Sequence, residues 1–182
     1  MPAYILTGTP GSGKTAILRL LETAGYRVVE EAATDVIALN QALGLDRPWD
    51  EPGFIDDVAA LQRRRHDLAL ADRTGGTIFF DRSPVCTLAL SRYAGLAPSP
   101  LLAREIDRVL ASGSYHETVF FVRNQGFVEA TAARRISFAD SLRFERIHEQ
   151  AYRDLGFRLL DIPAGPLADR VALIEQAVKA RP

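Results

Sequence analysis

Gly8-Thr9-Pro10-Gly11-Ser12-Gly13-Lys14-Thr15 meets the pattern G-x-x-x-x-G-K-[ST] at every fixed position, and an apolar run at residues 3–6 precedes it. That run reads as a buried strand, so the segment predicts a strand, a tight loop and a helix over residues 13–24. The glycines let successive backbone N–H groups turn inward toward phosphate oxygens, and the helix adds its positive N-terminal end. In such a loop Lys14 reaches the β- and γ-phosphates of a nucleotide and Thr15 ligates Mg²⁺, while Gly8, Thr9, Pro10, Gly11, Ser12 and Gly13 form the cradle. Lys14 and Lys179 are the only lysines of the chain, arginine supplying the rest of the positive charge. A lysine at the motif position is therefore no by-product of lysine richness.

Outward from the loop, strand-like runs recur at residues 27–30, 77–80, 118–122 and 157–161, with helical patterns between them. This alternation implies an α/β fold with a mostly parallel sheet covered by helices. Gly25, Gly75-Gly76, Gly113 and Gly156 each stand just before one of these strands, where a helix stops and the chain turns back. Residues 40–53 hold Gly44, Pro48, Trp49 and Pro52 and read as a loop between a helix beginning near Ala32 and a longer one beginning at Phe54. Trp49 either closes that loop half-buried or lies over a substrate. Phe54, Val58, Leu61 and Leu68 form the expected apolar stripe of the longer helix, with Gln62 and Arg65 at its border.

With 182 residues, 47% hydrophobic and 25% charged, the chain supports one core and a single domain over residues 1–182. A net charge of -1 gives no ground for a nucleic-acid or acidic-membrane partner, and the adjacent residues Arg63-Arg64-Arg65-His66 surround a helix rather than line one face of it. The single cysteine, Cys86, excludes an intrachain disulfide and a multi-cysteine metal site, and its apolar helical surroundings place it in the core. His66, His116 and His148 share no metal-ligand spacing. No signal peptide precedes the first strand and no apolar run is long enough to span a bilayer, so the expectation is a cytoplasmic protein, monomeric or homodimeric.

Three groups of residues offer the chemistry that a phosphate loop needs. Asp81-Arg82-Ser83 follows the third strand; a carboxylate there holds nucleotide-bound Mg²⁺ or its water, and Arg82 aims its fork at a phosphate or carboxylate. The alternative is that Asp81 caps the helix starting near Pro84 and pairs with Arg82. Glu30-Glu31 ends the second strand on the same sheet edge, where Glu31, preferred over Glu30, accepts the proton of an attacking hydroxyl; the alternative is a solvated acidic helix start. The third group is Arg123, Arg134, Arg135, Arg143 and Arg146. The polar, weakly patterned residues 124–133 suit a lid whose paired Arg134 and Arg135 close on the transferring phosphate. Arg143 and Arg146 share a helix face, beside the apolar stripe Phe144, Ile147, Ala151 and Leu155, and serve either the site or surface ion pairs.

The loop, the strand end Val28-Val-Glu-Glu-Ala-Ala-Thr34, the Gln62 helix, Phe79-Phe-Asp-Arg-Ser83 and the segment Arg135-Ile-Ser-Phe-Ala-Asp-Ser-Leu-Arg-Phe-Glu-Arg-Ile-His-Glu149, running on to Asp161-Ile-Pro163, together resemble a known group. It is that of small P-loop proteins similar to nucleoside and nucleotide kinases, in particular the compact AAA_28 family related to the kinase domain of bacterial NAD-biosynthesis regulators. The resemblance spans nearly the whole chain. It implies a three-layer P-loop NTPase sandwich with a five-stranded parallel sheet in the order 2-3-1-4-5, a lid at about residues 123–137, and a nucleotide base held near the loop after the last strand, around Pro163 to Pro166. Deoxynucleoside kinases carry an acidic general base at the end of the second strand and an acidic-Arg-Ser motif after the third, which Glu31 and Asp81-Arg82-Ser83 look like. An Asn-Lys-x-Asp motif for guanine is absent.

The function expected from these residues is phosphoryl transfer from ATP (or GTP) with Mg²⁺ to a small metabolite, a nucleoside, nucleotide or related ribosyl compound. Lys14, Glu31, Asp81, Arg82, Arg134 and Arg135 carry the chemistry, and Thr15 and Asp81 hold the metal. The alternative is a nucleotide-dependent switch with slow hydrolysis and no small-molecule acceptor.

Overall fold

The computed structural model describes residues 2–72, 74–126 and 137–180. Five strands, β1 (Ala3–Thr7), β2 (Arg27–Val29), β3 (Ile78–Asp81), β4 (Thr118–Val122) and β5 (Arg158–Ile162), pair in parallel in the order β2-β3-β1-β4-β5. The helices are α1 (Lys14–Thr23), α2 (Ala32–Ala42), α3 (Phe54–Ala71), α4 (Pro84–Tyr93), α5 (Pro100–Ser112), α6 (Phe138–Asp154) and α7 (Leu167–Lys179). The α/β sandwich and the strand order are those implied by the resemblance.

Strand alternation explains the layers. Ala3, Ile5, Ile78, Phe80 and Val119 face a core closed by α3, α4, α5 and α6 through Ala69, Val85, Ala89, Val109, Phe144 and Tyr152. Tyr4, Leu6, Phe79, Phe120, Val122 and Ile162 face the opposite way, beneath Ile17, Leu18 and Leu21 of α1 and Val171 and Ile174 of α7. Because helices cover both faces, the inner strands read as continuous apolar runs, and each large side chain so buried contributes about 1.5–3 kcal/mol. Parallel pairing also brings the carboxyl ends of all five strands to one edge, with β1 central between β3 and β4.

Several boundaries lie one residue from expectation. β5 starts at Arg158 because the Phe157 N–H is taken by the Tyr152 carbonyl as α6 closes, and β2 stops at Val29, leaving Glu30 outside the sheet. β3 runs on to Asp81, which pairs in register with Leu6. Between α2 and α3 the chain makes one 3₁₀ turn, Pro48–Asp50, that leaves the Trp49 side chain 38% exposed.

The stripe expected on α3 needs correction. Leu68 is 60% exposed, and the buried positions are Phe54, Val58, Ala59, His66 and Ala69. α3 packs on α2, α4 and α5 as well as toward the sheet, which turns its buried face toward Ala59 and His66. Among the described residues no helix is long and apolar enough to cross a membrane. Most of the expected lid, residues 127–136, with Arg134 and Arg135, lies outside the described residues.

Candidate functional site

Two glycines shape the loop. At Gly8 (φ 148°) an added Cβ would lie 2.4 Å from the Val122 carbonyl oxygen, so β4 leaves room for nothing else. Gly13 (φ 85°) takes the left-handed conformation that starts α1. Among the described helices, α1 alone has neither a side-chain cap nor an acidic residue in its first turn. Its free N–H groups and the positive end of its dipole therefore face the loop unneutralised, which suits an anion. The Thr9 and Ser12 hydroxyls are fully buried there without a hydrogen bond.

Two ion pairs stand at the loop's mouth. Lys14 Nζ lies 3.6 Å from Asp81 Oδ1, an ion-pair distance too long for a hydrogen bond, and both side chains are buried. Burial pushes the Lys14 pKa down, as does the nearby Arg82, while Asp81 and Glu31 oppose the shift. Asp81 does not cap α4: that role falls to Ser83, whose hydroxyl accepts from the Val85 N–H. Nor does Arg82 pair with Asp81. Arg82 is the one described non-glycine residue with positive φ (74°), and its N–H donates to the Leu6 carbonyl. This costly backbone turns the side chain toward Glu31, with Nε 2.5 Å from Oε1.

Glu31 and Glu30 are separated by this geometry. Glu30 points outward to Arg19, whereas Glu31 faces the crevice and accepts from the Thr34 hydroxyl. Burial pushes the Glu31 carboxyl up, but the Arg82 guanidinium and Lys14 ammonium outweigh it and hold the pKa at about 2. Arg65 fixes the strand end from below, donating to the carbonyls of Glu30 (3.1 Å) and Glu31 (2.7 Å) and pairing with Asp35. Gln62 is engaged within the protein, donating to the Ser83 carbonyl and accepting from Thr87. The cavity it lines with Glu30, Arg65 and Arg82 holds about 10 Å³, room for one water at most.

Reading the sequence missed His148. It sits fully buried on the apolar stripe of α6, its Nδ1–H donating to the Phe144 carbonyl, which leaves Nε2 to accept from Arg82 Nη1 at 3.3 Å. Burial and the neighbouring Arg82 push its pKa down to about 3, so it is a neutral acceptor that orients Arg82. The available signal was a polar residue on the stripe through Phe144 and Ala151. Arg170 was missed as well: it is 3% exposed, and its Nη2 donates to the Ser12 carbonyl at 2.8 Å.

Other expected residues stand apart. Arg123 is held by Glu145, Glu149 and Asp161 rather than by the loop, while Arg143 lies exposed over Tyr93 and Arg146 is exposed. Pro163 is exposed just beyond β5, next to Ile162, whose carbonyl accepts from the Arg123 N–H. Cys86 is core, packed with Thr7 and the Tyr152 hydroxyl beneath β1. Thr15, exposed on the first turn of α1, and the unbonded buried oxygen of Asp81 are the oxygen donors Mg²⁺ prefers. They fit a nucleotide-borne ion, and the described residues hold no cluster of three metal-ligating side chains.

Strand order and phosphate loop together define a P-loop α/β fold. The chain belongs to the AAA_28 family, described as an AAA domain, which matches residues 3–170. Deoxyadenosine kinase from M. mycoides with bound dCTP is similar over 100% of both chains, with 15% identity and a TM-score of 0.61. The same enzyme with products dCMP and a flexible dCDP bound has 12% identity and a TM-score of 0.61, over 98% of this chain and 100% of the other. Thymidylate kinase from Candida albicans has 11% identity and a TM-score of 0.58, over 98% of this chain and 91% of its own. At such identities the likeness is one of fold. No curated protein matches the chain.

Proposed function

We propose that the protein is a kinase transferring the terminal phosphoryl group of ATP or GTP to a small metabolite, a nucleoside, nucleotide or related ribosyl compound. The observation that carries this reading is the partly buried Glu31–Arg82 pair facing the loop across from Lys14 and Asp81. A protein that only binds nucleotide has no need of a carboxylate at that edge, whereas a transferase needs one for the acceptor hydroxyl.

Lys14 binds the β- and γ-phosphates, and Arg82 turns its planar fork from Glu31 onto the transferring group, where charge spreads in the transition state. Glu31 then loses its strongest counter-ion, its pKa rises, and it orients the acceptor hydroxyl and takes its proton. His148 keeps Arg82 in the crevice throughout. Thr15 and Asp81 would hold Mg²⁺, which when bound neutralises charge on the β- and γ-oxygens.

The kinds of ligand named for the similar structures, deoxyadenosine kinase with dCTP and thymidylate kinase, support a nucleoside or nucleotide acceptor. A second reading, the nucleotide-dependent switch, draws on the low basicity of Glu31 and on the water-sized cavity beside Gln62. The two separate in one experiment: release of ADP and GDP with Mg²⁺ across a panel of nucleosides, nucleotides, ribosyl pyridines and sugars, with Lys14→Ala as the blank. Release that rises with one acceptor class establishes the kinase; slow release indifferent to every acceptor establishes the switch.

A further inference from the structure

Arg170 sits on the first turn of α7 with 3% of its surface exposed. Its partners are neutral oxygens: Nη2 donates to the carbonyls of Ser12 (2.8 Å) and Arg123 (3.3 Å), and the Gln125 carboxamide, whose nitrogen donates to the Ser12 carbonyl at 3.3 Å, would offer the guanidinium its oxygen at 3.2 Å if the amide were turned over. Nε is buried with no partner. Lys14 has Asp81 and Arg82 has Glu31, but among the described residues no carboxylate forms an ion pair with Arg170. Burial alone acts on it, lowering its pKa. An uncompensated buried cation is costly, and an anion in the adjoining loop would offset that cost.

The peptide between Ser12 and Gly13 shows where that anion would be. A trans peptide is planar, with its C=O and N–H pointing opposite ways, so a carbonyl pinned outward by Arg170 aims the Gly13 N–H toward the inside of the loop. A guanidinium on the carbonyl also polarises the peptide and strengthens that N–H as a donor. The guanidinium lies so close that a Cβ on Gly13 would meet Nη1 at 2.9 Å, which gives the motif glycine a second role beyond its backbone angle.

We infer that Arg170 is a positioning residue for the phosphates bound by the loop, acting from outside through the Ser12–Gly13 peptide and tying the loop to the end of β4. This rests on the proposed reading that the loop binds nucleoside polyphosphates. The test measures affinity for MgADP and for Mg-tripolyphosphate by calorimetry, and the melting temperature without ligand, for the wild type, Arg170→Met, Arg170→Lys and Lys14→Ala. Expected are a loss of at least about tenfold in affinity for both ligands in Arg170→Met, a smaller loss in Arg170→Lys, and an unliganded melting temperature kept or raised in Arg170→Met.

Wild-type affinity in Arg170→Met, with Lys14→Ala unable to bind, overturns this inference and leaves the nucleotide reading standing. So does a loss confined to MgADP, which would make Arg170 a contact to the nucleoside. If Arg170→Met fails to fold, full affinity in Arg170→Lys, whose ammonium lacks the fork, overturns it equally. A wild type that binds neither ligand overturns both readings together.

Discussion

Two partly buried ionic clusters lie near β3, and each contains a histidine, an acid and an arginine. Between α3 and α5, Arg108 grips Glu105 with two hydrogen bonds (2.8 and 2.6 Å) and pairs with Asp67, while His66 bonds Ser114 and stacks near Phe80 and Tyr115. At the loop's mouth are Lys14–Asp81 and Glu31–Arg82–His148. Burial depresses the histidine pKa in both. A perturbed pKa therefore does not tell a structural cluster from a functional one. Unmet bonding does. Among the described residues, the buried side-chain atoms with neither a hydrogen bond nor an ion-pair partner are Thr9 Oγ1, Ser12 Oγ and Arg170 Nε, all in or against the loop, and Asp81 Oδ1 at its mouth has only Lys14, at 3.6 Å. Backbone cost at Arg82 marks the same cluster. The first is a finished joint between helices; the second has donors and acceptors left over.

The sharpest way to break this contrast is Lys14→Ala, which should cut turnover by at least about a thousandfold in a steady-state ADP-release assay while leaving the fold intact. Unchanged kinetics would remove the loop from catalysis. Next in size, Glu31→Gln should lose about 10²- to 10⁴-fold in transfer with MgATP affinity nearly kept; equal losses in both would make Glu31 a binding or structural residue.

Arg82→Gln sharpens the comparison through pH. Without the guanidinium, only Lys14 and the Thr34 hydroxyl oppose burial, and the Glu31 pKa rises from about 2. The acid limb of kcat/KM then moves up with it, whereas a limb that stays put would deny Glu31 a catalytic role. Stability follows the same sign. The folded pKa values of Glu31 (about 2 against 4.5) and His148 (about 3 against 6.5) are both depressed, so the unfolded chain binds more protons in those windows. Their contribution is present above the ordinary values and lost as pH falls through the windows. His148→Gln should flatten the melting temperature between pH 6.5 and 3. The smallest effect on activity belongs to Glu105→Gln. Its buried carboxylate faces an Arg108 side chain that is 30% exposed, so the change should cost roughly 1–3 kcal/mol in denaturant unfolding and nothing in kcat. A fall in kcat would join the two clusters into one.

The fold was legible because its determinants are local. Apolar runs bounded by glycines marked all five strands, and the loop motif fixed the direction in which they had to be read. Strand order came from the resemblance, since no periodicity says which strand lies beside which. Within the site, Lys14, Asp81, Glu31 and Arg82 converge at one sheet edge because parallel strands end together. What the sequence hid was pairing. That Arg82 would choose Glu31 over Asp81 depends on a positive φ in a residue type that rarely adopts one, and His148 and Arg170 reach the site from helices far along the chain. Leu68 misled for the opposite reason: its spacing matched a helical stripe, but α3 is buried on a face set by its neighbouring helices.

One consequence follows from the two ion pairs. Glu31 and Asp81 already give Arg82 and Lys14 negative partners, so the chain carries its own stand-in for the anion that the loop is shaped to receive. On the proposed reading, phosphate would arrive by exchange, displacing carboxylates from cations they have been neutralising, and the net gain in binding would be a difference between two attractions. The same carboxylates would take the cations back when the anion departs. Such a site trades affinity for ease of release, a quality that matters most where letting go of product limits the cycle.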